Sequence, residues 1–217
     1  MGVIKRQGIK HSIITYLGVV IGAINTLFIY PRMMPADLGL IRFIMDTASL
    51  IVPMVLLGFN HVAIRFYPDF KNEKNGHNGF LFFLISGVTT GLLFFLMLTG
   101  LFHEQIYAFY ENKGSVYLNN LIFILPLIIL ACYSRVFTDY AINQKRVAIP
   151  QIFNNLYVKL GQGGLILLFL LGMINLRTIL WGLVGVYSLI LLSNVSYIGI
   201  LGQLNLKPNI SLSLIHI

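Results

Sequence analysis

Long apolar runs alternate with short polar segments along the whole chain. Ser12 to Pro31 is 20 residues without a charge, and the 18 residues of 47–64 carry no Lys, Arg, Asp or Glu. At 1.5 Å rise per residue an 18-residue run spans about 27 Å, close to the ~30 Å hydrocarbon core of a bilayer. The pattern predicts an all-α polytopic membrane protein with six transmembrane helices, at about 12–31, 38–64, 79–102, 116–134, 155–176 and 178–202. Pro53 invites a kink in the second, read as one long helix, and Pro126 lies inside the fourth. The uncharged part of the fifth, 160–176, is only about 25 Å long, so that helix is expected to begin before Lys159.

The polar segments fall where turns belong. Pro31 to Asp37 reads as a turn, with Asp37 the expected N-cap of the second helix. Residues 65–78 are rich in charge and turn formers, and a loop with His103, Glu104, Glu111 and Lys113 follows the third helix. Arg135 to Pro150 is polar, with Pro150 suited to the first turn of a new helix. The first apolar run is too long for a signal-peptide core and lacks a small-residue cleavage site, so it stays in the membrane. With six helices and the N-terminus inside, eleven Lys and Arg fall on the cytoplasmic side and four outside. That balance places both termini in the cytoplasm.

Composition strengthens the membrane reading. Hydrophobic residues make up 57% and charged residues 10%, with a mean hydropathy of +0.83. A soluble domain would carry about a quarter charged residues. The net charge of +8 is spread through short loops rather than gathered on a basic face, which speaks against nucleic acid. Cys132 is the single cysteine and excludes an intrachain disulfide. Gly161, Gly163 and Gly164 lack the third glycine and the preceding strand of a dinucleotide fingerprint. No cofactor, metal or catalytic group is expected.

Polar groups at membrane depth are expensive and mark surfaces that face protein or water rather than lipid. The second helix carries Arg42 and Asp46 towards its outer end and Asn60, His61 and Arg65 towards its inner end, making it the candidate wall of a hydrophilic cavity. Arg42 and Asp46 stand four apart on one face, either as a structural ion pair or as a site for substrate and a coupling proton or cation. Arg65 reads as an inner-interface anchor or a substrate cation. Lys159 is expected to snorkel to the headgroups, with a cavity position as the alternative. Asn25 is expected to hydrogen-bond across helices, or else to line the cavity. The GxxxG pairs Gly18/Gly22 and Gly87/Gly91 read as close helix packing.

The first helix followed by YPRMMPADLGLIRFIMD and LLGFNHVAIRFYPDF, with TDYAINQKRVAIPQIFNN entering the fifth helix, resembles the polysaccharide flippases of the multidrug/oligosaccharidyl-lipid/polysaccharide exporter superfamily. The resemblance covers essentially all of residues 1–210. It implies two six-helix lobes around a central cavity, of which this chain supplies the N-terminal one. It also implies movement of a lipid-linked oligosaccharide to the outer leaflet of a bacterial cytoplasmic membrane, for surface polysaccharide or lipopolysaccharide biosynthesis. Arg42, Arg65 and Lys159 would then be the cations available for phosphate. Alternatives are a cation-coupled multidrug exporter of the same superfamily and a membrane-embedded glycan polymerase or acyltransferase. The end of the chain, 211–217, is expected to be a non-native tail of a truncated reading frame, since a back-translation of LSLIHI resembles a transposase adaptor.

Overall fold

The computed structural model describes residues 3–72, 76–111 and 115–206, and among these it contains helices and turns but no strand. The expected tail at 211–217 lies outside the described residues, as do Lys74, Lys113 and Lys207 of the charge count. α1 is Val3–Ile24, extended by a π-helical turn at Asn25–Ile29 and a 3-10 turn at Tyr30–Arg32. α2 is Pro35–Val55, α3 Phe59–Phe70, α4 Phe80–Leu101, α5 His103–Glu111 and α6 Ser115–Asn120. A 3-10 turn at Leu121–Phe123 leads into α7, Ile124–Asn143. α8, Ala148–Gln151, runs through a second π-helical stretch, Ile152–Tyr157, into α9, Val158–Leu170; α10 is Leu176–Ile200. Among the described residues five segments, rather than the expected six, are long and apolar enough to cross a membrane: Lys5–Arg32, Pro35–Val55, His77–Leu101, Val116–Asn143 and Leu176–Ile200. By length and composition this is a multi-pass membrane protein.

The long second helix expected at 38–64 is in fact two. α2 starts earlier, with Met34 rather than Asp37 at the N-cap position and Pro35 in the first turn; Asp37 sits inside that turn, where its charge complements the helix dipole. It ends at Val55, two residues after Pro53, whose missing N–H leaves the Ser49 carbonyl without its usual partner. Leu57 and Gly58 then take left-handed conformations, φ 47° and 79°, and α3 sets off anew. The break is seated on the Gly87/Gly91 pair of α4. A Cβ at Gly91 would strike the Val55 carbonyl oxygen, and one at Gly87 would strike the Phe59 ring. Close packing was the expected use of that pair, and the neighbour it admits is a broken helix.

α7 is the centre of the bundle. Half of its most apolar window (50%) is buried, against 17% for α1. Leu127, Ile128 and Cys132 of α7 are fully enclosed in one core with Leu40, Ile41 and Ile44 of α2, Leu81, Leu84 and Val88 of α4, and Leu180 and Leu183 of α10. This helix also runs nine residues past its expected end at 134. Thr138, Asp139 and Tyr140, which the polar segment from Arg135 to Pro150 was expected to hold in a cytoplasmic loop, are buried on it, as is Ser134 at the expected helix end. Pro126 shows itself upstream: it cannot donate to the Ile122 carbonyl, and the chain is 3-10 over Leu121–Phe123 before the α-helix begins.

The fifth helical run also differs from its expected bounds of 155–176. It begins at Ala148, with Pro150 inside its first turn as expected, and stops at Leu170. Gly172 is left-handed at φ 72°, and the Met173 and Gly172 amides donate to Leu168 and Phe169, closing the helix end. Asn175 caps α10, accepting from the Thr178 amide and hydroxyl, both at 2.9 Å.

Candidate functional site

The run 148–170 carries Asn154, Asn155, Lys159 and Gln162, and it is not among the segments apolar enough to span a membrane unaided. Of these residues, Asn155 and Lys159 are turned to α1. On α1, Gly18, Gly22 and Asn25 lie at i, i+4 and i+7, on one stripe. On the partner, Asn155, Lys159 and Gly163 repeat every four residues. A Cβ at Gly18 would come within 2.9 Å of the Asn155 amide oxygen, one at Gly22 within 3.6 Å of the Lys159 side chain, and one at Gly163 would strike the Asn25 amide. Small residues on each helix therefore receive large polar ones from the other.

Two hydrogen bonds lock the register. The Asn25 amide donates to the Lys159 backbone carbonyl at 2.7 Å, and the Lys159 ammonium donates to the Gly18 carbonyl at 2.8 Å. Asn25 is 4% exposed, so the cross-helix bond expected of it is the role it takes. Lys159 is engaged on the same seam. Its ammonium turns inwards to a carbonyl halfway along α1, because the glycine stripe opens a channel beside the helix backbone. Each helix is π-wound next to this seam, at Asn25–Ile29 and Ile152–Tyr157. An extra residue per turn frees backbone carbonyls, and such bulges accompany functional sites.

The other sequence candidates sit apart. Arg42 is exposed, with its guanidinium over the Tyr30 ring, 5.3 Å from the centroid. It edges an open recess of about 490 Å³ between the end of α1 and the start of α2, lined also by Thr26, Met33 and Leu38. Asp46 is exposed one turn later, within electrostatic range of Tyr187 on α10. Arg42 and Asp46 do not form the ion pair their spacing allowed; among the described residues the one ion pair is Arg135–Asp139. Arg65 belongs to α3 beyond the helix break, exposed beside Phe66, and so does not share a continuous helix with Arg42. No protein-family model matches the chain, and no curated protein or solved structure is detectably similar to it.

Sequence reading missed a second polar cluster. Asn154 donates to the Thr138 hydroxyl at 2.8 Å, Ser134 donates to the Asn154 carbonyl oxygen at 3.2 Å, and Asn194 of α10 donates to the Ser134 hydroxyl at 3.0 Å. Three helical segments are thereby joined around α7. Below it, Asp139 (side chain 9% exposed) holds the Arg135 guanidinium at 3.0 Å, next to Asn60 and the α2–α3 break. The available signal was the apolar spacing of Val136, Phe137, Tyr140 and Ala141, which continues the helix through the polar residues. Among the described residues no three His, Cys, Asp or Glu side chains gather as metal ligands would.

Proposed function

We propose that this chain is one helical lobe of a transporter that carries a lipid-linked oligosaccharide across a bacterial cytoplasmic membrane, with both termini on the cytoplasmic side and 148–170 as its sixth span. One observation carries the reading. Lys159 and Arg42 are two cations without a carboxylate partner among the described residues, stationed at different levels along the helical run formed by α1 and the turns that extend it to Arg32. Lys159 lies against Gly18 and Gly22 and Arg42 against Tyr30. From Gly22 to Tyr30 is eight residues, about 12 Å along the axis. A pyrophosphate passing through hydrocarbon needs positive charge and hydrogen-bond donors at successive depths. The exporter of cationic drugs has less support, since the buried acid it would use, Asp139, is already held by Arg135.

The test is binding of a polyprenyl-pyrophosphate-linked oligosaccharide to the purified chain, followed by native mass spectrometry. Lys159→Gln and Arg42→Gln should each weaken binding while Lys5→Gln leaves it unchanged. Equal binding by all three variants would sink the reading.

A further inference from the structure

A recess of about 600 Å³ lies under α5, between it and α2, α4 and α7, and shares no residue with the cation-bearing seam. This is within the roughly 300–1,000 Å³ range of small-molecule sites. Its roof is one stripe of α5: His103, Ile106, Tyr107 and Tyr110 fall at i, i+3, i+4 and i+7 and all line it. Glu104 and Glu111 belong to the other face of that helix. The floor is hydrocarbon in character, including Ile51 of α2 and Phe95 of α4. On α4, Phe95 lies six residues before the helix end at Leu101, about 9 Å along the axis, so the recess reaches from α5 into the apolar part of the helices.

Polarity is graded along it. His103 and the two tyrosine hydroxyls stand at the α5 end. Thr99, one turn before His103, has its hydroxyl on the Leu96 carbonyl, and at the floor Thr47 is the one polar side chain among the lining residues, beside Ile51, Phe95 and Ile128. Water held there would find too few partners, because a buried water needs two to four polar contacts. No side chain of α5 fills the space: its residues are exposed except for the half-buried Tyr110, which packs edge-on against Phe43. α5 itself is short, amphipathic and attached at the end of an apolar span, the design of a helix lying in the membrane interface.

We propose that this recess binds one hydrocarbon chain of a bilayer lipid, with the headgroup held by His103, Tyr107 and Tyr110. The occupant must be long, apolar and present at membrane depth, and its polar end must meet hydrogen-bonding groups at the interface. A phospholipid meets all of these conditions. The inference needs only that the chain spans a membrane, and it stands whether or not the chain moves an oligosaccharide.

The full chain would be placed in vesicles of phosphatidylethanolamine and phosphatidylglycerol doped with a phosphatidylcholine bearing a diazirine on one acyl chain. Irradiation and peptide mapping should find label on Ile51, Phe95 and Tyr110. Thr47→Trp and Thr99→Trp each place a ring in the void and should cut that labelling roughly tenfold, since the added bulk removes the space a chain needs. Labelling of Leu17 and Leu27 on the open face of α1 should be unchanged in both. Circular dichroism identifies which variants fold, and either folded variant decides. Absence of label on Ile51 and Phe95 in the unmodified chain, or undiminished label in a folded variant, would overturn the proposal.

Discussion

The Asn25 amide reaches across from α1 to the backbone carbonyl of Lys159, and the Lys159 ammonium reaches back to the carbonyl of Gly18, seven residues earlier. Each helix thus supplies both a side-chain donor and a backbone acceptor to the other. The exchange explains how 148–170 is kept in place despite its polar residues. Interhelical hydrogen bonds in membranes are individually modest, averaging about 0.6 kcal/mol and reaching ~1.7. Two bonds plus the close approach allowed by Gly18, Gly22 and Gly163 act together on one register.

If Lys159 is held inwards, its charge burdens insertion of its own segment. Lys159→Leu should improve membrane insertion of 148–170, measured by glycosylation mapping of that segment, by ~2.5–3.5 kcal/mol if the residue sits near mid-membrane. An unchanged inserted fraction would mean that the ammonium reaches the headgroups after all.

Gly91 and Gly100 belong to one helix, yet they should answer differently to the same substitution. A Cβ at Gly91 meets the rigid Val55 carbonyl, whereas one at Gly100 meets nothing within 4 Å. Gly91→Ala is expected to lower stability by about 1–3 kcal/mol through overpacking against backbone. Gly100→Ala should be neutral or slightly stabilising, because alanine is the better helix former. Thermal unfolding in detergent compares the two directly.

The Arg135–Asp139 pair is lopsided: the guanidinium side chain is 52% exposed and the carboxylate side chain 9%. Removing Arg135 strands a charge in the core, while removing the charge of Asp139 leaves an arginine that can turn to solvent. Arg135→Gln is therefore expected to destabilise more than Asp139→Asn, by about 1 kcal/mol or more given the cost of an unpaired buried group. The order of the two melting temperatures is the readout, and a reversed order would refute it.

Arg42 and Asp46 are separate in the structure, with Arg42 engaged to Tyr30 instead. The effects of Arg42→Gln and Asp46→Asn on membrane abundance should then be close to additive, with no rescue in the double mutant. A double mutant milder than either single one would show that the pair forms in the membrane.

That this chain is helical and apolar enough to cross a membrane repeatedly was legible residue by residue, because it depends on run length and transfer free energy alone. One piece of local punctuation was legible too: Pro150 sits in the first turn of the run that begins at Ala148, as its fixed φ favours, whereas Pro35 opening α2 and Gly172 closing α9 were passed over. What the polar residues mean came from packing. Thr138 and Asp139 look like a loop, and Ser134 like the frayed end of a helix, because polarity in a sequence does not distinguish a residue facing water from one facing another helix. Their partners Asn154 and Asn194 lie 16 and 60 residues away. Asn25 and Lys159 are 134 apart, and only packing α1 against 148–170 makes one the other's partner. Pro53 gave notice of a bend, but whether the helix kinks or ends depended on Gly87 and Gly91 of α4, which leave room for the Phe59 ring and the Val55 carbonyl.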